Sequence, residues 1–172
     1  MKSKIGIVVD DSRWRDILPD AVRVCRRAAR SALAELRDKG QPVQLCVMLA
    51  DDETVADLNK RLRGKRGPTN VLTFSGQISR TPASPNVSGT LSIGDIVLAF
   101  ETVAREAQRD GKNISAHVSH LVVHGVLHLL GHDHTRQADA SRMESLEVTV
   151  LARLGVGNPY AQMRKDLGFD FC

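Results

Sequence analysis

The spacing of apolar side chains switches along the chain between the two-residue period of strands and the longer period of helices. Ile5 to Val9 (IGIVV) is a short β-branched run and reads as a strand. Residues 18 to 38 place Ala21, Val24, Cys25, Ala28, Ala32 and Leu36 at helical spacing, and Lys39-Gly40 offers a cationic end with a glycine cap. Val43 to Leu49 (VQLCVML) reads as a second strand. Asp51 or Asp52 then caps a helix whose inner face is Val55, Leu58 and Leu62, with Gly64 as its stop. Val71 to Phe74 and Leu91 to Leu98 read as strands three and four. Between them, residues 76 to 90 are dense in Gly, Pro, Ser and Asn, so a mobile loop is expected. Helices follow over about 99 to 110, 113 to 130 and 137 to 153.

Strands interleaved with helices, followed by a helical half, indicate an α/β (α+β) fold: a single mixed sheet of about four strands flanked by helices. With 172 residues, one domain spanning 1–172 is expected, residues from about 155 onward forming a C-terminal tail. The 42% apolar and 26% charged content is that of a globular protein, which removes disordered and fibrous classes. No window approaches a membrane-spanning run, and the first residues, MKSKIGIVVDDSRW, hold no apolar segment of signal-peptide length. Cys25, Cys46 and Cys172 are odd in number and far apart, which suits reduced thiols and a cytoplasmic location. Net charge is +4. Arg61, Arg63, Lys65 and Arg66 are a compact basic group, whereas Arg23, Arg26, Arg27 and Arg30 read as a solvated helix face.

All six histidines fall between positions 117 and 134. His117, His120, His124 and His128 are spaced by three, four and four residues, which stacks them on one helix face. One such histidine is ordinarily a core residue; four in succession, followed by His132 and His134, read as a metal site. His124 and His128, at i and i+4, can aim ring nitrogens at one ion, and Gly131 can end the helix and turn His134 back as third ligand. The spacing is similar to the HExxHxxGxxH metzincin motif, but Gly125 replaces the glutamate that acts as general base there. Three histidines leave a fourth position open, the mark of a catalytic zinc. An all-imidazole site also accepts nickel or copper. Asp133 is a candidate base, or a partner that orients a ligand histidine, or a turn residue after Gly131. His120 is either an orienting residue or an alternative ligand, and His117 and His132 are bystanders.

The run from His120 to His134 (HLVVHGVLHLLGHDH) resembles the signature of the YbeY family of bacterial rRNA maturation endoribonucleases. Leu58-Asn59, Arg63-Gly64-Lys65, Thr69 to Phe74, Gly94 to Val97, Met143, Glu144, Glu147 and Gly157 to Tyr160 extend the resemblance across roughly residues 43 to 160. It implies zinc ligands at His124, His128 and His134 and a functional arginine at Arg63. The implied activity is that of a single-strand-specific zinc-dependent endoribonuclease, active in maturation of the 16S rRNA 3′ end and in ribosome quality control. The partners so implied are precursor rRNA and the small ribosomal subunit with its proteins, with no membrane and no DNA. His132 stands where the family often has tyrosine and Thr73 where it often has serine. The turn after Ser75 lacks the usual proline, and the following loop looks lengthened.

Arg63 also has a physical case: its planar guanidinium matches phosphate oxygens and keeps its charge, although at a helix end it also complements the helix dipole. Arg61, Lys65 and Arg66 would then position phosphates. One Trp, one Tyr and four Phe, none clustered, are too few for a base-stacking platform. Two other readings remain. A metallopeptidase-like hydrolase is disfavoured by the missing glutamate, and a non-catalytic ribosome assembly factor by the open three-histidine geometry.

Overall fold

The computed structural model describes residues 3–35, 40–75 and 90–161. The elements in chain order are β1 (Lys4–Val9), α1 (Arg13–Ile17), α2 (Ala21–Leu33), β2 (Val43–Ala50), α3 (Asp52–Arg63), β3 (Val71–Phe74), β4 (Leu91–Ala99), α4 (Phe100–Arg109), α5 (Ile114–Leu129) and α6 (Gln137–Arg153). The four strands form one sheet in the order β1-β2-β4-β3. β1 and β2, and β2 and β4, run parallel, while β3 pairs antiparallel with β4 and forms an edge. The expected single mixed α/β sheet is therefore what forms. The expected loop over 76 to 90 lies outside the described residues except for its last position. Leu36, Lys39 and the tail beyond 161 also lie outside them.

Alternation along the central strands divides the core in two. Leu45, Val47 and Leu49 of β2 and Ile96 and Leu98 of β4 share a cluster with α2, α5 and α6. Val97, Ala99, Leu72 and Phe74 point the other way, against Val55 of α3. Thr73, in register with Ile96, thus faces the α5 side of the sheet. That places an edge strand beside the histidine helix.

Three local expectations need correction. The helix expected over 18 to 38 opens at Ala21 and closes at Leu33. Pro19 disfavours helical backbone at Leu18, which adopts φ −143° and ψ 79°. A separate short helix, α1, precedes that break; its Trp14 is fully buried, donates from Nε1 to the Ala50 carbonyl at 2.9 Å and meets the Phe100 ring edge-on. On α3, Asp51 caps as expected, accepting from Thr54 N at 2.8 Å, and Gly64 ends the helix. Its inner face, however, is Val55 and Asn59 rather than Leu62, which is 44% exposed. Asn59 is accommodated inside because its amide donates to the Gly67 carbonyl at 2.9 Å. Among the described residues Cys25 is buried and Cys46 half-buried, both free, and burial pushes the Cys25 thiol up to about 12. No described helix is long and apolar enough to cross a membrane.

Two glycines set how closely α5 approaches the sheet. Next to Ile93, the extra residue of β4 where the register shifts at Gln44/Leu45, Gly94 adopts φ +135°, and a Cβ there would lie 2.1 Å from the Phe74 carbonyl oxygen and 2.9 Å from Leu129 Cδ2. Within α5, a Cβ on Gly125 would meet the Ile96 side chain at 3.0–3.2 Å. Gly94→Ala should destabilise the protein by about 3 kcal/mol, combining backbone strain with overpacking. Gly157→Ala, where an added Cβ meets nothing within 4 Å, should be near neutral. Urea denaturation of both variants checks the contrast.

Candidate metal centre

α5 is a polar stripe set into an apolar helix. Asn113 caps it, its Oδ1 accepting from Ser115 N at 2.9 Å and Ala116 N at 3.2 Å. Val118, Val122, Val126 and Leu127 are buried in the core, which leaves His120, His124 and His128 on a half-exposed face. Gly125 points at the sheet, not at the histidines. A glutamate there would have no room, so the missing base reflects close packing of α5 on β4.

Past Leu129 the chain reverses through a Schellman motif: His132 N donates to Leu127 O and Gly131 N to His128 O, both at 3.0 Å, with Gly131 at φ +93°. Asp133 completes the turn. Its Oδ1 accepts from His134 N at 2.6 Å and Thr135 N at 3.2 Å, and its Oδ2 from Thr135 Oγ1 at 3.0 Å. Those hydrogen bonds, the one from His134 N foremost, hold its carboxyl below the usual range.

The turn brings His134 back over the helix. One donor nitrogen from each of His124, His128 and His134 lies within 4.8 Å of the others, so the cluster can hold a metal ion. Nε2 of His124 and Nε2 of His128 are 3.1 Å apart. Two nitrogens on a tetrahedral zinc, each at 2.0–2.1 Å, are separated by about 3.3 Å, so this donor pair fits such an ion with little adjustment. Burial, then the charges of His124 and His134, lower the pKa of His128 and favour the neutral form that a ligand needs.

Sequence reasoning gave no role to Glu147. On α6 it is 0% exposed, and its carboxylate meets His124 Nδ1, the Tyr160 hydroxyl and, at 3.4 Å, His120 Nε2. Burial opposes ionisation of Glu147, but the hydrogen bonds from His120, His124 and Tyr160 outweigh it and hold the carboxyl at about 2. A signal existed in the sequence: Glu147 interrupts the buried stripe Met143, Val150, Leu151 of its helix. His117 turns inward instead, pairing with Glu106 at 2.9 Å, and Glu106 also accepts from Asn70.

The histidines form one wall of a cleft of about 840 Å³. Arg63, Asn70 and Thr73 line the same cleft, and His132 and Asp133 lie at the turn. Arg63 is exposed, yet its Nη2 donates to the Thr73 carbonyl at 2.9 Å and its guanidinium sits 6.0 Å from the Phe74 ring centre. Of the other basic residues, Arg61 pairs with Asp57 one turn back at 3.0 Å, and Lys65 and Arg66 are exposed on the connection to β3.

Residues 9–155 match the family described as Endoribonuclease YbeY. Among curated proteins, Endoribonuclease YbeY of Paramagnetospirillum magneticum is 46% identical over 160 residues, covering 92% of this chain and 96% of its own. That of Jannaschia sp. is 43% identical over 165 residues, covering 91% and 99%. A solution structure from Thermotoga maritima aligns over 97% of this chain and 96% of its own, with a TM-score of 0.53 and 20% identity, a likeness of fold. With a family match across most of its length and relatives this similar, the chain belongs to the endoribonuclease YbeY family.

Proposed function

We propose that this chain is a zinc-dependent endoribonuclease of the cytoplasm that hydrolyses phosphodiester bonds in single-stranded precursor rRNA, with the small ribosomal subunit as its setting. The observation that carries this reading is that Arg63 and the three imidazoles line one cleft. A permanent cation sharing a cleft with a metal site suits a substrate whose reacting group is an anion.

In this reading His124, His128 and His134 hold the metal. A metal ion there supplies Lewis-acid polarisation of water or of a phosphate oxygen. Arg63 binds the scissile phosphate and steadies the charge that builds on it, with the Thr73 carbonyl and the Phe74 ring holding its guanidinium in place. Asp133 accepts from the His134 backbone N–H at 2.6 Å, so its part is to position that ligand. Lys65 and Arg66, exposed on the connection from α3 to β3, engage phosphates without reading bases.

The edge strand argues against a peptide substrate. Extended peptides commonly bind by adding a strand to an open sheet edge. On β3, Asn70 Oδ1 already accepts from Val71 N at 2.7 Å, and Arg63 already donates to Thr73 O. Two outward backbone groups of a four-residue strand are thus taken by side chains of the same cleft.

His128→Ala should lose stoichiometric zinc, read by atomic emission on purified protein, and a chelator should abolish cleavage of a single-stranded RNA until zinc is returned. Arg63→Ala should lower RNA cleavage by about 10²–10³-fold. Its stability should fall by only about 1 kcal/mol, one hydrogen bond's worth, with metal content unchanged. Intact cleavage with a large loss of stability would make Arg63 a helix-end residue and remove the phosphate role.

A further inference from the structure

Behind the three histidines, three donors converge on one carboxylate that has almost no access to water. Glu147 presents Oε1 to His124 Nδ1 and Oε2 to the Tyr160 hydroxyl, with His120 Nε2 3.4 Å from that same oxygen. Tyr160 and His120 also touch each other, hydroxyl to Nε2 at 3.4 Å and rings edge to face at 5.6 Å. The side chain of Glu147 is 1% exposed, so no solvent replaces a partner that is lost.

An ionised carboxylate only accepts hydrogen bonds, so each of these neighbours donates. With His124 Nδ1 against Oε1, its Nε2 is the ring nitrogen directed at His128 and the one left for a metal. The orientation of His124 therefore depends on where Glu147 is held. Oε1 alone leaves the carboxylate free to rotate about its last bond; Oε2 fixes it through Tyr160 and, at longer range, His120. Tyr160 comes from the segment after α6, two residues beyond Asn158, whose Oδ1 accepts from Tyr160 N at 2.9 Å and shapes the turn.

We propose that Tyr160 and His120 are positioning residues of the metal centre, acting through Glu147, so that docking of the segment around Tyr160 helps to hold the metal. This rests on reading His124, His128 and His134 as ligands. Partners one step removed from a metal typically change its affinity by about 10–100-fold. By the reciprocity of linked equilibria, a bound ion in turn tightens the docking of Tyr160.

The test uses the full chain and zinc competition against a chromophoric chelator. Tyr160→Phe, which removes only the hydroxyl, should weaken zinc binding by about tenfold. Glu147→Gln should weaken it at least as much, and adding Tyr160→Phe to Glu147→Gln should change little, because the hydroxyl acts through the carboxylate. Cobalt substituted into Tyr160→Phe should show a visible spectrum altered from that of the parent, a signature that loss of packing alone would not move. Affinity within twofold of the parent in Tyr160→Phe, or an undiminished further loss in the double variant, overturns the proposal. So does a lower melting temperature of the metal-free variant with unchanged affinity and spectrum. Should Glu147→Gln not fold, Tyr160→Phe with its cobalt spectrum still decides. His128→Ala separates the two layers: if it keeps full zinc affinity the ligand reading fails, whereas if it loses zinc and Tyr160→Phe does not, only the positioning role falls.

Discussion

Burying a charged carboxylate beside a helix core is the constraint around which the rest of this site is arranged. Desolvation of such a group costs several kcal/mol, and only well-placed donors offset it. Glu147 meets that demand with His124, Tyr160 and His120, drawn from α5 and from the segment after α6. Satisfying the charge in this way fixes an imidazole in one direction. Stability of the α5–α6 contact and geometry of the metal centre are thus the same interaction.

The depth at which α5 sits on the sheet is the second determinant. Gly125 against Ile96 and Gly94 beneath Phe74 and Leu129 remove side-chain atoms at the points of closest approach. The helix can then lie near β3, and His124 and His128 share a cleft with Arg63 and Thr73. At Gly125 this packing removes the glutamate that the similar peptidase motif uses. At β3 it sets an edge strand beside the metal centre, with Arg63 and Asn70 occupying part of its free backbone. The same close approach that gives the cleft its shape bears on what can bind in it.

Much of this was legible in the chain itself wherever the governing physics is short-range. Asp51 and Gly64 bound α3 because capping involves residues within one turn. The i, i+4 spacing of His124 and His128, the left-handed Gly131 and the return of His134 are likewise local geometry, and they bring three donors together as the spacing implied. Where reading failed locally, a neighbouring residue overrode the pattern, as Pro19 did at Leu18. Leu62 failed differently: Asn59, polar but satisfied by Gly67, took the inward position.

The sequence by itself determined the mixed sheet, the histidine cluster and every described element but the short α1, because periodicity and caps act over a few residues. Only the tertiary structure decided which carboxylate orients His124, since Glu147 is 23 positions away on another helix. It alone showed that Tyr160 closes that contact from 13 positions further on, that Gly125 faces Ile96, and that Arg63 is held by the Thr73 carbonyl. Each of these depends on how two elements pack, and a linear pattern records the surface an element offers but not the partner that surface meets.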